Sequence, residues 1–195
     1  CACGEDTALL AGDALLTLAF ETILSEKAVK STSAKAVADA GRILASFAGV
    51  SGMVGGQFID LSIEGKKVEA EILEKMYGKK TGALLKASCM LGCIAAGADD
   101  EKLKSAEEFG GKIGLVFQII DDVLDVVSTP EVLGKPILSD EENEKTTFMS
   151  IYGEEKCRQI AKKLTDDAVK ALDIFGKDES AELRELAINL LNRNK

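Results

Sequence analysis

Three aspartates interrupt an otherwise aliphatic stretch near the middle of the chain, GLVFQIIDDVLDVV, residues 114–127. On a helix, Gln118, Asp121, Asp122 and Asp125 recur at i, i+3, i+4 and i+7, so their side chains share one face. Two carboxylates about 4 Å apart repel each other by about 4 kcal/mol at an effective dielectric constant of about 20. The arrangement therefore predicts a bound cation beside Asp121, Asp122 and Asp125.

The available ligand atoms indicate which cation this is. The chain contains no histidine, and the stretch offers carboxylate and amide oxygens, which hard ions prefer. We predict Mg²⁺, because one or two carboxylates commonly hold it while a phosphate supplies further oxygens; Mn²⁺ is the alternative. A solvated acidic stripe on an amphipathic helix is the competing interpretation, but the aliphatic surroundings favour the wall of a cleft.

Lysines elsewhere in the chain provide the opposite charge. Lys80-Thr81-Gly82 begins a predicted helix, where an ammonium, a hydroxyl and free backbone N–H groups can bind an anion together. Lys135 lies in a polar loop between a glycine and a proline, and Lys145 follows ten residues later. Each lysine alone is typical of a solvated surface. Together with the aspartate face, they predict a diphosphate site.

The composition excludes several classes of function. The 195 residues carry 33 acidic and 24 basic side chains, a formal net charge of −9, which leaves no basic stripe for a nucleic acid. The five cysteines include no C-x-x-C pair, which argues against a zinc site and favours reduced thiols in the cytoplasm. We find no apolar run of the roughly 18 to 20 residues that a membrane span requires. We therefore predict a cytoplasmic protein without a membrane span.

Helical periodicity runs through most of the chain, and no segment shows sustained strand alternation. We therefore predict one all-α domain over residues 1–195. The first helix, from about Asp6 to Leu24, is apolar on all sides and is predicted to be buried. A polar connection at 27–33 precedes a long predicted helix at 33–61, with a bend at Gly55-Gly56. Further helices are predicted at 68–77, 80–98, 99–127, 146–151, 154–175 and 179–191.

Six ordered motifs resemble those of the trans-type polyprenyl diphosphate synthases. They are GDALL (12–16), GGQFIDL (55–61), KTGALL (80–85), FQIIDDVLDV (117–126), LGKP (133–136) and DEENEKTTF (140–148). Within that family the chain most resembles the bacterial short-chain farnesyl or geranylgeranyl diphosphate synthases, from about Gly4 to the C-terminus. The resemblance implies an isoprenoid-synthase-type helical bundle around a deep central cavity, with aspartate-rich motifs on two facing helices, and a homodimer.

The resemblance also implies roles for individual residues. Asp121, Asp122 and Asp125 match the second aspartate-rich motif of the family, with Asp121 as the principal Mg²⁺ ligand. The other matches are substrate-binding positions: Lys80, Lys135 and Lys145 around the allylic diphosphate, Thr81 and Gln118 beside its developing positive charge, and Gln57 and Asp60 on the cavity wall. Within this set, the implied catalytic residues are Lys80, Thr81, Gln118 and Lys135.

The implied reaction condenses an allylic diphosphate, dimethylallyl or geranyl, with isopentenyl diphosphate to give farnesyl or geranylgeranyl diphosphate. Mg²⁺ and lysines neutralise the allylic diphosphate so that it leaves as an anion. The double bond of isopentenyl diphosphate attacks the resulting allylic carbocation, and a proton is lost. No protein nucleophile is needed, and apolar helices would shield the cation from water.

The first aspartate-rich motif of the family is not found in this sequence. It should precede GDALL by a few tens of residues, whereas eleven residues precede Gly12. Neither Asp99-Asp100 nor Asp166-Asp167 has a third aspartate at the required spacing. Three explanations remain open: a piece of a complete synthase whose N-terminal helices are missing, a subunit that completes its site with another chain, or a non-catalytic homologue that acts as a partner. We expect little or no prenyl transfer from these 195 residues alone.

Overall fold

Helices make up the protein, as the apolar periodicity predicts. The structure is a computed structural model that describes residues 4–127 and 145–193. Its helices, in chain order, are α1 (Glu5–Ile23), α2 (Glu26–Ser31), α3 (Ala34–Ala48), α4 (Met53–Ile63), α5 (Ala70–Lys80), α6 (Gly82–Ala95), α7 (Asp100–Val127), α8 (Phe148–Ala171) and α9 (Ala181–Leu191), with a 3₁₀ helix at Leu172–Phe175. Neither described range contains a strand, so the all-α prediction is confirmed there.

The longest helix, α7, lies at the centre of the packing. Asp99 caps the start of this helix. Its Oδ1 accepts a hydrogen bond from Lys102 N–H at 2.9 Å and so satisfies a free amide of the first turn. In its second half, Val116, Ile119 and other aliphatic residues have 0% exposure. Burying each such side chain contributes about 1.5–3 kcal/mol. Because α7 packs against both α6 and α8, it carries the aspartate stretch into the interior.

Two glycines allow neighbouring helices to approach closely. A Cβ atom on Gly114 of α7 would lie 2.5 Å from Gly82 Cα, at the start of α6. A Cβ atom on Gly56 of α4 would lie 2.2 Å from Lys80 N, at the end of α5. Real Cβ atoms do not approach other atoms this closely, so only glycine fits at either position. The two contacts place Lys80 and Gly82 against α4 and α7.

The structure corrects two boundaries in the N-terminal half. Residues 27–33, predicted to be a polar connection, contain most of α2, which Ser25 caps with its side chain. The helix predicted over 33–61 is instead two helices, α3 and α4, and the break lies at Gly49–Gly52 rather than at Gly55-Gly56. At Gly52 the backbone is not helical, and a Cβ atom there would lie 1.9 Å from the Phe47 carbonyl oxygen. The position of the break therefore depends on Gly52.

The prediction that α1 is buried is wrong. Leu9, Leu10 and Leu15 are 66–68% exposed, and no residue of α1 is buried. Within the described part of the chain, α3 contacts α1 without enclosing it. The apolar composition of α1 therefore produces an exposed apolar surface instead of a core helix.

Two helical stretches within residues 4–127, Glu5–Ser31 and Ala34–Ile63, are long and apolar enough to cross a membrane by length and composition alone. Their most apolar windows are 0% and 28% buried in the protein, respectively. By this criterion the statement that no apolar run reaches membrane length is wrong. The same criterion is met by core helices of soluble proteins and by signal sequences, so the absence of a membrane span stays a prediction.

The last helices complete the core behind α7. The predicted boundary between residues 151 and 154 appears as a kink in α8, where Gly153 has the left-handed φ of 73°. Beyond the kink, α8 and the 3₁₀ helix contribute Ala168 and Leu172 to a buried cluster with Phe109 and Ile113 of α7. This cluster supports the end of α7 that lies away from the aspartates.

Candidate active site

A polar cavity of about 230 Å³ lies between α4, α5, α7 and the segment that leads into α8. Most of its lining residues carry charge or hydrogen-bonding groups: Asp60, Glu64, Tyr77, Lys80, Gln118, Asp121, Asp122, Lys145, Thr146 and Thr147, together with Ile63 and Met76. Six residues that the sequence analysis predicts for the site, Asp60, Lys80, Gln118, Asp121, Asp122 and Lys145, therefore lie together. They come from four separate parts of the sequence.

Lys80 is held at the cavity by Asp60. The Lys80 Nζ atom donates a hydrogen bond to Asp60 Oδ2 at 2.6 Å. The Asp60 side chain is 13% exposed and that of Lys80 is 36% exposed. Gly56, one turn before Asp60, contacts the Lys80 backbone, so the close approach of the two helices produces this ion pair. Asp60 thereby fixes the ammonium group at the wall of the cavity.

Thr81 and Gln118 form a second polar pair, which links the start of α6 to α7. The Thr81 hydroxyl donates a hydrogen bond to Gln118 Oε1. Gln118 lines the cavity, whereas Thr81 lies behind it and is not among the described lining residues. A carbonyl oxygen has two lone pairs, so Gln118 Oε1 can accept from Thr81 and still stabilise positive charge. The sequence analysis did not predict this hydrogen bond, and the role of both residues at the allylic substrate stays a prediction.

Asp122 is buried, and its carboxylate accepts hydrogen bonds from α5 and from the start of α8. It is 4% exposed. The Tyr77 hydroxyl donates to Asp122 Oδ1 and Oδ2, each at 2.9 Å, and Phe148 N–H donates to Oδ2 at 2.8 Å. Phe148 is the first residue of α8, so this amide has no partner within its own helix. Asp122 therefore supplies the acceptor that the start of α8 requires.

Asp121 pairs with a residue from the C-terminal end of the chain. Arg193 Nη2 donates to Asp121 Oδ1 at 3.0 Å, and the Arg193 guanidinium lies 4.7 Å from the centroid of the Phe117 ring. The Asp121 side chain is 38% exposed, which is far more than that of Asp122. Asp121 is therefore the aspartate of the motif that a small ion in the cavity can reach most readily.

The three aspartates do not converge on one point. Asp125 is 2% exposed and lines a second cavity of about 170 Å³, which also contacts Asp122, Lys145 and Thr147. Within residues 4–127 and 145–193, no group of three or more Asp, Glu, Cys or His side chains is placed to hold a metal ion. Adjacent helical residues point about 100° apart, so Asp121 and Asp122 have different partners. The three carboxylates are therefore not grouped around one point in this part of the chain, and metal binding by Asp121, Asp122 and Asp125 stays a prediction.

Two other predicted residues are not placed in the cavity. Gln57 is half-buried on α4, three residues before Asp60, and is not among the described residues that line the cavity. Its proposed contact with substrate stays a prediction. Lys135 lies outside the described residues, and its role stays a prediction too.

The side chains that line the cavity carry more negative than positive charge, which favours binding of a cation over binding of an anion. Four carboxylates and two lysines are among its described lining residues: Asp60, Glu64, Asp121 and Asp122 against Lys80 and Lys145. A bare diphosphate would meet an excess of negative charge, whereas a diphosphate bound with a divalent cation would not. The same walls can therefore hold a diphosphate more easily when a divalent cation is bound with it.

Comparison with known proteins identifies the family to which the chain belongs. The sequence model of the polyprenyl synthetase family matches residues 1–185. The chain belongs to the polyprenyl synthetase family. It is 40% identical over 195 residues to farnesyl diphosphate synthase of Escherichia coli, covering 98% of this chain and 65% of that enzyme. It is 41% identical over 192 residues to geranylgeranyl diphosphate synthase of Cyanophora paradoxa, covering 98% of this chain and 63% of that protein.

Solved structures share the fold of this polyprenyl synthetase chain. A farnesyl or geranylfarnesyl diphosphate synthase of Zymomonas mobilis superposes with a TM-score of 0.78 at 32% identity, covering 96% of this chain and 61% of that one. A geranyltransferase of Helicobacter pylori, solved with magnesium and isoprenyl diphosphate, gives a TM-score of 0.75 at 33% identity, covering 96% and 60% of the two chains. The chain thus spans less than two thirds of the length of these relatives.

The cavity carboxylates of this polyprenyl synthetase chain are compatible with Mg²⁺ that is bound together with a diphosphate. Mg²⁺ in phosphate-binding sites commonly takes one or two protein carboxylates and completes its shell with water and phosphate oxygens. Asp121 offers a partly exposed carboxylate at the cavity wall, and its neighbour Asp122 lines the same cavity. The residues therefore fit a cation that arrives with a diphosphate better than a cation held by protein alone.

Sequence reasoning missed two residues of the site. Arg193 follows the last predicted helix, 179–191, and has no predicted role, but it reaches Asp121 from beyond the end of α9. Tyr77 was only the end of a short predicted helix, but it lines the cavity and binds Asp122. In the structure Tyr77 lies on α5 three residues before Lys80, about one helical turn, but the predicted helix boundary between residues 77 and 80 separated the two. Nothing in the local sequence indicates the contact of Arg193.

Proposed function

We propose that this chain binds an allylic diphosphate together with a divalent cation and takes part in prenyl transfer to isopentenyl diphosphate. The observation that carries the proposal is that Asp121, Lys80 and Lys145 line one polar cavity. Membership of the polyprenyl synthetase family supports it. Farnesyl or geranylgeranyl diphosphate is the proposed product, by analogy with the names of the relatives.

Each residue has a defined task in this proposal. Lys80, fixed by Asp60, and Lys145 donate hydrogen bonds to the diphosphate oxygens, while Asp121, with Asp122 beside it, is the ligand proposed for Mg²⁺. When bound, the metal ion stabilises the negative charge that develops on the leaving diphosphate. Gln118, oriented by Thr81, turns its carbonyl dipole toward the positive charge on the allylic carbon. Asp125, Gln57 and Lys135 keep the roles that the resemblance implies, as metal ligand and substrate contacts.

Diphosphate binding is tested by thermal denaturation. We expect geranyl diphosphate with Mg²⁺ to raise the melting temperature of the chain, because a ligand that binds the folded state stabilises it. Geraniol with Mg²⁺, which lacks the diphosphate, is the matched control ligand and should have little effect. Equal stabilisation by geraniol, or by geranyl diphosphate in EDTA, would contradict the proposal.

Catalysis is tested in a chimera, because the chain spans 65% of the length of the E. coli enzyme. Residues of this chain replace the matching region of that enzyme, and the product is assayed with geranyl and isopentenyl diphosphates in Mg²⁺. Farnesyl diphosphate formed by the chimera, and lost with Asp121→Asn, supports an enzyme. A folded chimera without product, while the unaltered E. coli enzyme is active, would favour the alternative of a non-catalytic partner subunit.

We also propose a homodimer that acts in the cytoplasm. Several leucines of α1 are exposed, and so are Phe58 and Leu61 of α4 at 72% and 63%. Exposed apolar side chains that lie together often mark a contact with another protein. A second copy of the chain would cover such a surface. Sedimentation equilibrium tests the proposal: a mass of about twice 20.7 kDa is expected, and Leu9→Glu should shift it toward the monomer.

A further inference from the structure

A buried network of hydrogen bonds around Asp122 lies at the back of the cavity, and its tyrosine, Tyr77, has no part in the reaction described above. Tyr77 of α5 is 6% exposed and Asp122 of α7 is 4% exposed. The Tyr77 hydroxyl lies 2.9 Å from both oxygens of Asp122, and the Phe148 amide donates to Oδ2 at 2.8 Å. One carboxylate therefore joins three helices, α5, α7 and α8.

The start of α8 is arranged so that this amide is available to Asp122. Thr147 and Ser150 form a capping box, in which each side chain accepts a hydrogen bond from the other residue's backbone N–H. The Phe148 N–H is left over, because the first amides of a helix have no partner within it. A carboxylate at this position also interacts favourably with the helix dipole. Asp122 thus fixes where α8 begins.

Ring packing makes the contact rigid. The Tyr77 ring stacks on Phe148, with centroids 5.8 Å apart and planes 26° apart. Tyr152 contacts the same Phe148 ring at 5.7 Å. The segment just before Phe148 contributes Lys145, Thr146 and Thr147 to the cavity wall. Any movement of Phe148 would therefore move these three residues relative to Asp121 and Lys80.

We propose that Tyr77 is a positioning residue for the diphosphate site. Its hydroxyl fixes the Asp122 carboxylate, and Asp122 in turn fixes the start of α8 and holds Lys145 across the cavity from Asp121. The inference rests on the proposed function, because it concerns the same cavity. Loss of the hydroxyl removes a donor from a buried, charged acceptor, which is one of the costlier losses of a hydrogen bond in a protein.

The test measures binding of inorganic pyrophosphate in Mg²⁺ to the 195-residue chain by isothermal titration calorimetry. Tyr77→Phe keeps the ring on Phe148 but removes the hydroxyl, and we expect about tenfold weaker binding. Tyr77→His keeps an aromatic ring with an N–H donor, on a shorter side chain, and should recover part of the affinity. Tyr152→Phe is the matched control, since it alters the other tyrosine on Phe148, and it should bind as the wild type does.

A spectroscopic measurement tests the contact itself. The chain has two tyrosines and no tryptophan, so Tyr77 is the sole tyrosine in Tyr152→Phe. With ¹³C-labelled tyrosine, the Cζ resonance of Tyr77 should shift when Asp122→Asn is added, because the phenol then donates to a neutral amide instead of a carboxylate. An unchanged resonance would show that the hydrogen bond is absent and would overturn the proposal.

The outcomes of the titration separate the two proposals. If Tyr77→Phe melts at a lower temperature but binds pyrophosphate as tightly as the wild type, Tyr77 is only structural and the positioning role is wrong. If the wild-type chain itself does not bind pyrophosphate in Mg²⁺, the proposed function is wrong, and the positioning role is wrong with it. A loss on Tyr77→Phe that Tyr77→His partly reverses supports both.

Discussion

At the scale of single residues, the aspartates of the 114–127 stretch have different partners and different roles. Asp121 faces the cavity and pairs with Arg193, whereas Asp122 is buried against Tyr77 and the start of α8. Helical spacing predicted that the aspartates lie on one face, and the structure places Asp121 and Asp122 at one cavity. The spacing could not predict their partners, because Tyr77 and Arg193 lie 45 and 72 residues away in the sequence.

Arg193 competes with a metal ion for Asp121. Arg193→Gln removes a positive charge from the carboxylate, so we expect Mg²⁺ to bind the chain about two- to fivefold more tightly. This range corresponds to the ~0.5–1 kcal/mol of a partly exposed ion pair. Titration of Mg²⁺ by calorimetry measures the change. Arg184→Gln, which breaks a pair with Asp173 away from the cavity, is the control. Weaker Mg²⁺ binding by Arg193→Gln would contradict the competition.

Cys157 links folding stability to alkaline pH. It has 0% exposure, and burial, with a smaller contribution from the nearby Asp122 charge, raises the pKa of its thiol from 9.0 to about 11. Because the folded-state pKa is the higher one, its stabilising contribution is complete below pH 9 and is lost as the pH rises to about 11. We expect the free energy of unfolding in urea to fall over this range.

The control for this prediction is Cys157→Ala, which has no group to ionise at that position. Lysines and tyrosines titrate in the same range, so the difference between the two pH profiles isolates Cys157. The wild type should lose more stability than the variant between pH 9 and 11. Parallel profiles would show that Cys157 makes no such contribution.

At the scale of helices, close backbone contacts decide where the site residues lie. The contact of Gly56 with the Lys80 backbone is one of them. The exact break between α3 and α4 could not be predicted, because the segment contains five glycines, at positions 41, 49, 52, 55 and 56. Several of these positions were equally suitable for a break. The burial of α1 was predicted wrongly because apolar periodicity cannot show whether a neighbouring helix covers it.

Gly114→Ala should separate α6 from α7. The new methyl group would lie 2.5 Å from the Gly82 Cα, and overpacking of this kind typically costs about 1–3 kcal/mol. Chemical denaturation measures the loss of stability. Gly92→Ala on α6 is the control, because nothing lies within 4 Å of the added carbon and alanine favours a helix by about 1 kcal/mol. Equal effects of the two substitutions would show that the close contact is absent.

At the scale of the whole molecule, α4, α5, α7 and the start of α8 surround a cavity with an excess of negative charge. The all-α fold and the family were predictable from the sequence, because motifs and periodicity are local signals. The contacts of Tyr77 and Arg193 with the motifs were not, because they depend on long-range packing. The proposed activity follows from the whole arrangement: a metal ion and a diphosphate must bind together.

The most direct test of this claim is calorimetric titration of geranyl diphosphate into the chain, with Mg²⁺ and with EDTA. We predict binding only with Mg²⁺, and at least about tenfold weaker binding for Asp121→Asn, since the variant loses a charged ligand. Asp166→Asn, which alters a surface pair with Lys162, should bind as the wild type does. Equal affinity in EDTA, or unchanged affinity in a folded Asp121→Asn variant, would contradict the account.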